Sequence, residues 1–138
     1  MLQDKCVVSV ILSLDIGERR IGVARCDPLG ILVTPLEIMV RNHKEADLGS
    51  MLDLIEREDP SLIVIGLPLT LTGEEGHQAL KVRDDVRFLL SGCKTKIVFW
   101  DERFTTAEAE RRFGTYRDND SIAAAILLED YLASRGDI

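Results

Sequence analysis

The sequence predicts an α/β domain on a mixed five-stranded sheet, an antiparallel three-strand meander plus two parallel strands, with helices on both faces. Three observations carry this expectation. Between residues 6 and 39, three apolar, β-branched runs are separated only by short turns, the pattern of a meander. Two later apolar runs are each preceded by a helical pattern, and strands separated by helices pair in parallel through right-handed crossovers. Aliphatic residues are plentiful and aromatic ones only 5%, as buried strands under helices require.

Taken in order, Cys6 to Leu14 is a nearly unbroken apolar run (Val7, Val8, Val10, Ile11, Leu12) and reads as a buried strand closed by Asp15. Gly17 then leaves room for a close backbone approach. Arg19 to Cys26 reads as a second strand, with Ile21 and Val23 on one face and Gly22 and Ala24 on the other; that small pair predicts a closely packed helix. Asp27-Pro28-Leu29-Gly30 has the residues of a type I turn, and Ile31 to Met39 supplies the third strand.

Leu48, Met51, Leu52 and Ile55 recur at helical spacing ahead of Pro60. Leu62-Ile63-Val64-Ile65 is a short buried strand that runs out into Gly66-Leu67-Pro68 and a loop through Thr72-Gly73. Ala79, Val82, Val86 and Leu89 mark a second helix, closed by Ser91-Gly92. Ile97 to Trp100 is the fifth strand, followed by Asp101-Glu102-Arg103. Thr105 and Glu108 form a capping box for a third helix, and a last helix runs from about Asp120 to Ser134.

With 138 residues and no repeat or linker, residues 1–138 are expected to form one domain. No apolar run approaches the ~20 residues of a membrane span, and a secretory leader is not expected. The three cysteines, Cys6, Cys26 and Cys93, lack CxxC spacing, which speaks against a disulfide framework or a zinc site and for a reducing cytoplasm. The 24 acidic and 17 basic residues give a net charge of −7. A phosphate-bearing partner must therefore be held by a local basic patch or by metal ions.

Acids stand where strands and helices end: Asp15, the pair Asp101-Glu102, and Asp118 and Asp120. In α/β sheets, sites form beyond the carboxyl ends of parallel strands. Positions 120, 123, 124, 127, 128 and 131 make one helical stripe of Asp, Ala, Ala, Leu, Leu and Tyr, so Asp120 heads an apolar face turned to the sheet. Converging carboxylates repel unless protonated or bridged by cations, and oxygen-only ligation suits Mg²⁺ or Mn²⁺. Two such ions about 4 Å apart can activate a water and stabilise the leaving oxygen in phosphodiester hydrolysis.

Other readings stay open at this stage. Asp15 can simply cap a turn, or Asp15-Ile16-Gly17 can form a phosphate-binding turn as in actin-like kinases. Asp118 and Asp120 can cap a helix. The stretch from Gly66 to Gly73 can offer amides to a phosphate or be a plain strand exit. Arg19, Arg20 and Arg103 are candidates for backbone phosphates. His43 and His77 read as solvated or capping residues, and Trp100 as core.

Together, Leu14-Asp15-Ile16-Gly17, Arg20-Ile21-Gly22-Val23-Ala24, Gly66-Leu67-Pro68, Asp101-Glu102-Arg103 with Thr105-Thr106, and Asp120-Ser121-Ile122-Ala123-Ala124 resemble the YqgF/RuvX family in order and spacing. The resemblance covers roughly residues 10 to 134. It implies an RNase H-like fold and a metal-dependent nuclease, with precursor 16S rRNA as the expected substrate and branched DNA of the Holliday junction type as the alternative. A nucleic-acid- or protein-binding module that keeps the fold without cleavage is the reading from another class. By position, the resemblance implies Asp15, Asp101 or Glu102, and Asp120 as the catalytic acids. Asp15, Glu102 and Asp120 would be ligands to Mg²⁺ or Mn²⁺. Arg20, Arg103, Gly66, Arg111 and Arg112 would contact nucleic acid, in a monomer or homodimer. One departure stands out: family members usually carry a longer Lys/Arg-rich segment before the last aspartate, whereas residues 110–117 here are short and hold three arginines.

Overall fold

A nearly continuous aliphatic strand needs cover on both faces, and β1 (Ile11–Ile16) receives it at the centre of a five-stranded sheet. The computed structural model describes residues 10–29, 32–101 and 119–134. In it β1 is followed by β2 (Arg20–Cys26), β3 (Val33–Val40), α1 (Lys44–Glu58), β4 (Leu62–Leu67), α2 (His77–Leu89), β5 (Lys96–Asp101) and α3 (Asn119–Ser134). The strand order is β3-β2-β1-β4-β5. β1–β2 and β2–β3 are antiparallel, β1–β4 and β4–β5 parallel, so the meander and the two crossover strands form as expected.

The sheet has two unlike faces. On one, Leu12, Leu14, Ile16, Ile21, Val23, Ile63, Ile65 and Leu67 pack against Met51 and Leu54 of α1 and Ala79, Val82, Val86 and Leu89 of α2. Each large aliphatic side chain so buried stabilises the fold by about 1.5–3 kcal/mol. On the other, Ala24, Cys26, Leu62 and Val64 meet Ala124, Ala125, Leu127, Leu128 and Leu132 of α3. The Gly22/Ala24 side of β2 does lie under a helix.

Local sequence explains the boundaries. Gly17 and Arg20 flank the tight β1–β2 turn, with the Gly17 amide donating to the Arg20 carbonyl at 2.9 Å. A Cβ on Gly17 would sit 2.9 Å from that same oxygen, so the close approach Gly17 permits is made by the chain's own backbone. The Asp27-Pro28 turn is closed by the Asp27 amide to the Leu32 carbonyl (3.0 Å) and the Leu32 amide to the Asp27 carboxylate (3.1 Å). Pro35 is tolerated because β3 is an edge strand with a register shift opposite Gly22/Ala24. His43 caps α1 by accepting the Ala46 amide at Nδ1, 3.3 Å.

Arg41 locks the turn after β1 in place. It donates to the Gly17 carbonyl at 2.7 Å, and its guanidinium meets Asp85 of α2 at 3.1 Å and the buried Asp47 of α1 at 3.8 Å.

Three expectations need adjustment. β1 continues through Asp15 to Ile16, because Asp15 pairs with Gly22 and Ile16 with Ile21; Asp15 does not close it. In α3, Ala125 is fully buried and Ala123 only half-buried. Ile122 and Ile126 form a second buried patch on that helix, which turns the sheet-facing stripe toward Ala125. Gly66 and Leu67 belong to β4 rather than to the loop after it. The expected strand start at Cys6, Gly30 of the turn, Ile31 at the start of the third strand and the third helix at Thr105 lie outside the described residues.

Candidate active site

The floor of the candidate site is a single row across the sheet. Asp15 pairs with Gly22 on β2, while on its other side Leu14 pairs with Ile65, so Gly66 follows beside Asp15. Gly66 in turn pairs with Trp100 of β5. Side chains alternate along each strand. Leu12, Leu14 and Ile16 belong to the α1/α2 face, so Asp15 takes the opposite face, with Ser13, under α3. The half-buried Asp15 carboxylate thus stands between two residues that have no side chain. Arg20 shares the alternation of Gly22 and Ala24, which sets it on Asp15's face at the exposed rim.

Small residues let α3 come close to this floor. Ser13 is fully buried and its hydroxyl donates to the Ala124 carbonyl at 2.6 Å. Ser121, also buried, donates to the Glu37 carbonyl of β3 at 3.2 Å. Asp120 is the second residue of α3, one helical turn ahead of Ala124. The Tyr131 ring meets Trp100 edge-on, with centroids 5.3 Å apart, and steadies the far end of the helix over β5.

The fifth strand separates the two adjacent acids. Val98 and Trp100 pack on the α3 side, Ile97 and Phe99 on the other. By that alternation Asp101, the last residue of β5, goes with Phe99 onto the face of α2, away from Asp15. Glu102, Arg103, Arg111 and Arg112 lie outside the described residues. Among the described residues, no three His, Cys, Asp or Glu side chains come together.

The loop from Pro68 to Gly76 is braced by hydrogen bonds of its own. Its Thr70 amide donates to the Glu74 carbonyl, the Gly73 amide to the Thr70 carbonyl, and the Glu74 amide to the Thr70 hydroxyl. It is tied down by Glu75, whose carboxylate takes two bonds of 2.8 Å from Arg83; the Arg83 guanidinium also lies 4.4 Å from the Phe99 ring centroid. The Arg83 hydrogen bonds hold the Glu75 carboxyl below its ordinary value. A cleft of about 180 Å³ opens between this loop and the β1–β2 turn, lined by Ile16, Gly17, Pro68, Gln78, Lys81 and Val82.

Two contributors to the site's geometry escaped the sequence reading. Ser13 left a signal, a lone hydroxyl in an aliphatic strand that must find a buried partner. Arg41 left none, since its partners come from three separate elements.

The chemistry of Asp15 is that of a ligand to a hard cation. Asp15 offers carboxylate oxygens between Gly22 and Gly66, which add no side chain of their own, and such oxygens are hard donors.

Comparison with known proteins gives a consistent picture. A family model described as "RuvX: Holliday junction resolvase" matches residues 9–134. A protein of Sulfurihydrogenibium sp. named "Putative pre-16S rRNA nuclease" is 44% identical over 133 residues, covering 91% of this chain and 90% of its own. Proteins of the same name from Dehalococcoides mccartyi and Gloeothece citriformis are 42% and 38% identical, over 84% and 90% of this chain and 92% and 87% of their own. Among solved structures, Thermus thermophilus RuvC in complex with Holliday junction substrate superposes with a TM-score of 0.61 at 12% identity, covering 94% of this chain and 97% of that one. The fowlpox virus resolvase with its junction DNA gives 0.60 at 16% identity, covering 91% and 98%. At such identities these structures show the shared RNase H-like fold.

Proposed function

The chain belongs to the RuvX family, and on that premise we propose that it is a metal-dependent endonuclease that hydrolyses phosphodiester bonds in precursor 16S rRNA. The observation that carries the reading is Asp15, held by β1 between Gly22 and Gly66 on the face where α3 begins. The substrate comes from the name shared by relatives 38–44% identical to this chain.

Asp15, Glu102 and Asp120 would hold Mg²⁺ or Mn²⁺, in one or two ions. Glu102 is preferred to Asp101 because Asp101, by the alternation of β5, goes with Phe99 onto the face away from Asp15. When bound, such ions supply activation of the attacking water and stabilisation of the leaving oxygen. The chain's own residues do the rest. Asp15 fixes one corner of the donor set on a rigid central strand. Arg20 at the rim offers its guanidinium to a backbone phosphate, and Arg103, Arg111 and Arg112 extend that contact. Gly66, itself buried in β4, adds no side chain beside the carboxylate.

Residues 1–138 act as a single domain in this reading. Among the described residues no helix is long and apolar enough to cross a membrane; the place of action we infer is the cytoplasm, where precursor rRNA is processed. A monomer satisfies the one-site reaction, whereas a four-way junction needs a homodimer with two sites.

The test is cleavage of a precursor 16S rRNA transcript and of a synthetic four-way junction, each with Mg²⁺ and with Mn²⁺. Wild-type protein is expected to cut the RNA at discrete positions. Asp15→Asn should lower the rate by roughly a thousandfold, about 4 kcal/mol of barrier, with an unchanged fold. Wild-type rates in that variant would refute the site. Cleavage of the junction alone would move the substrate to the second reading, favoured by the fold shared with junction resolvases. Binding without cleavage would leave a module that recognises nucleic acid only.

A further inference from the structure

We propose that Ser13 is a positioning residue for the metal site: its hydroxyl sets the register of α3 over β1 and thereby the placement of Asp120 relative to Asp15. The proposal rests on the reading of those two acids as metal ligands. Ser13 is 0% exposed, and its Oγ donates to the Ala124 carbonyl at 2.6 Å across 111 positions of sequence. The acids lie one structural repeat from either end of this bond. Asp15 is two residues along β1 on the same face, about 7 Å away along the strand. Asp120 is four residues back along α3, about 6 Å of helical rise.

The bond is not needed to satisfy the helix. A mid-helix carbonyl already accepts the amide four residues on, so Ala124 would stay paired without Ser13. Nor is a hydroxyl needed for close packing, because the surrounding contacts are made by Ala24, Ala124 and Ala125, all fully buried. A contact between alanines is smooth and leaves a helix free to slide or turn by a fraction of a residue. A directional O–H···O=C bond removes that freedom. Ser121, next to Asp120, pins the same turn to the Glu37 carbonyl of β3, so α3 is held at two points around its first acid.

The experiment compares wild type, Ser13→Ala and Ile63→Val. Ile63 is equally buried but packs on the α1/α2 face. For each, Mn²⁺ is titrated while the melting temperature is followed, and the Mn²⁺ dependence of cleavage is measured separately. Both substitutions should lower the metal-free melting temperature by a few degrees. Only Ser13→Ala should raise the Mn²⁺ midpoints of stabilisation and of cleavage, by about tenfold or more, the range seen when groups that orient metal ligands are removed. Midpoints within twofold of wild type, or a Ser13→Ala chain that does not fold, would overturn the proposal. A wild-type protein that shows no Mn²⁺ stabilisation would instead bring down the metal-site reading itself, and this inference with it.

Discussion

The two faces of the sheet are built on different principles. The α1/α2 face is large aliphatic side chains throughout, with Leu12, Leu14, Ile21, Ile63 and Ile65 fully buried beneath Met51 and Leu54. The Arg41 network closes it at the strand ends. The α3 face near Asp15 uses Ser13, Gly22, Ala24 and Gly66 on the strands and Ala124 and Ala125 on the helix. Small residues bury less apolar area each and stabilise less. In exchange they let α3 approach β1 closely enough for the Ser13–Ala124 hydrogen bond, two residues from Asp15. In the proposed reading, stability and chemistry fall on opposite sides of the same five strands, and β1 serves both by alternation: Leu12, Leu14 and Ile16 for one, Ser13 and Asp15 for the other.

Substitutions on the aliphatic face probe this division first. Leu14→Ala removes a fully buried side chain next to Asp15 in sequence but opposite in space. It should cost about 3 kcal/mol and lower the melting temperature by roughly 10 °C. Cleavage per folded molecule should stay near wild type, which a rate measurement well below the melting transition would check. A large loss of rate in protein that remains folded would break the separation of the two faces.

A smaller effect is expected at Arg41, whose side chain is 18% exposed. Arg41→Met removes the bond to the Gly17 carbonyl and leaves the Asp47 carboxylate to the Asn42 amide at 2.8 Å. Urea unfolding should show a loss of about 1–2 kcal/mol, allowing for solvent around the partners. Because this residue holds the turn that follows Asp15, a modest drop in cleavage beyond that explained by stability would show the two faces coupled through the strand end.

The smallest effect concerns the loop after β4. The Glu75 carboxyl is held below its ordinary value of 4.5 by its Arg83 hydrogen bonds. A depressed folded-state value contributes stability above the unfolded value and loses it as pH falls through the folded one. Glu75→Gln should therefore melt slightly below wild type at neutral pH, with the gap closing below about pH 4. Melting curves across pH 3–7 would reveal a wrong sign as a gap that widens in acid.

Much of the architecture was legible from patterns of period two and period 3.6. The Gly22/Ala24 pair announced a close helix, and α3 lies on it. His43 read as solvated or capping, and it caps α1. Features set by long-range contacts were not legible. Nothing near Ser13 names Ala124, and nothing near Arg41 names Asp47 and Asp85 together. The face taken by Asp101 was not legible until the pleat of β5 was fixed by Val98 and Trp100 under α3 and by Ile97 and Phe99 on the other side. The extension of β1 past Leu14 depended on pairing with β2, since a charged residue ends an apolar run in sequence but not a hydrogen-bonded ladder.

The alternation of β5 makes the central claim directly measurable. Calorimetric titration of Mn²⁺ into wild type, Glu102→Gln and Asp101→Asn asks which face binds the ion. If the site lies under α3 with Asp15, Glu102→Gln loses most of the binding heat and Asp101→Asn keeps wild-type affinity. Loss in Asp101→Asn with binding intact in Glu102→Gln would put the site on the other face and contradict the account.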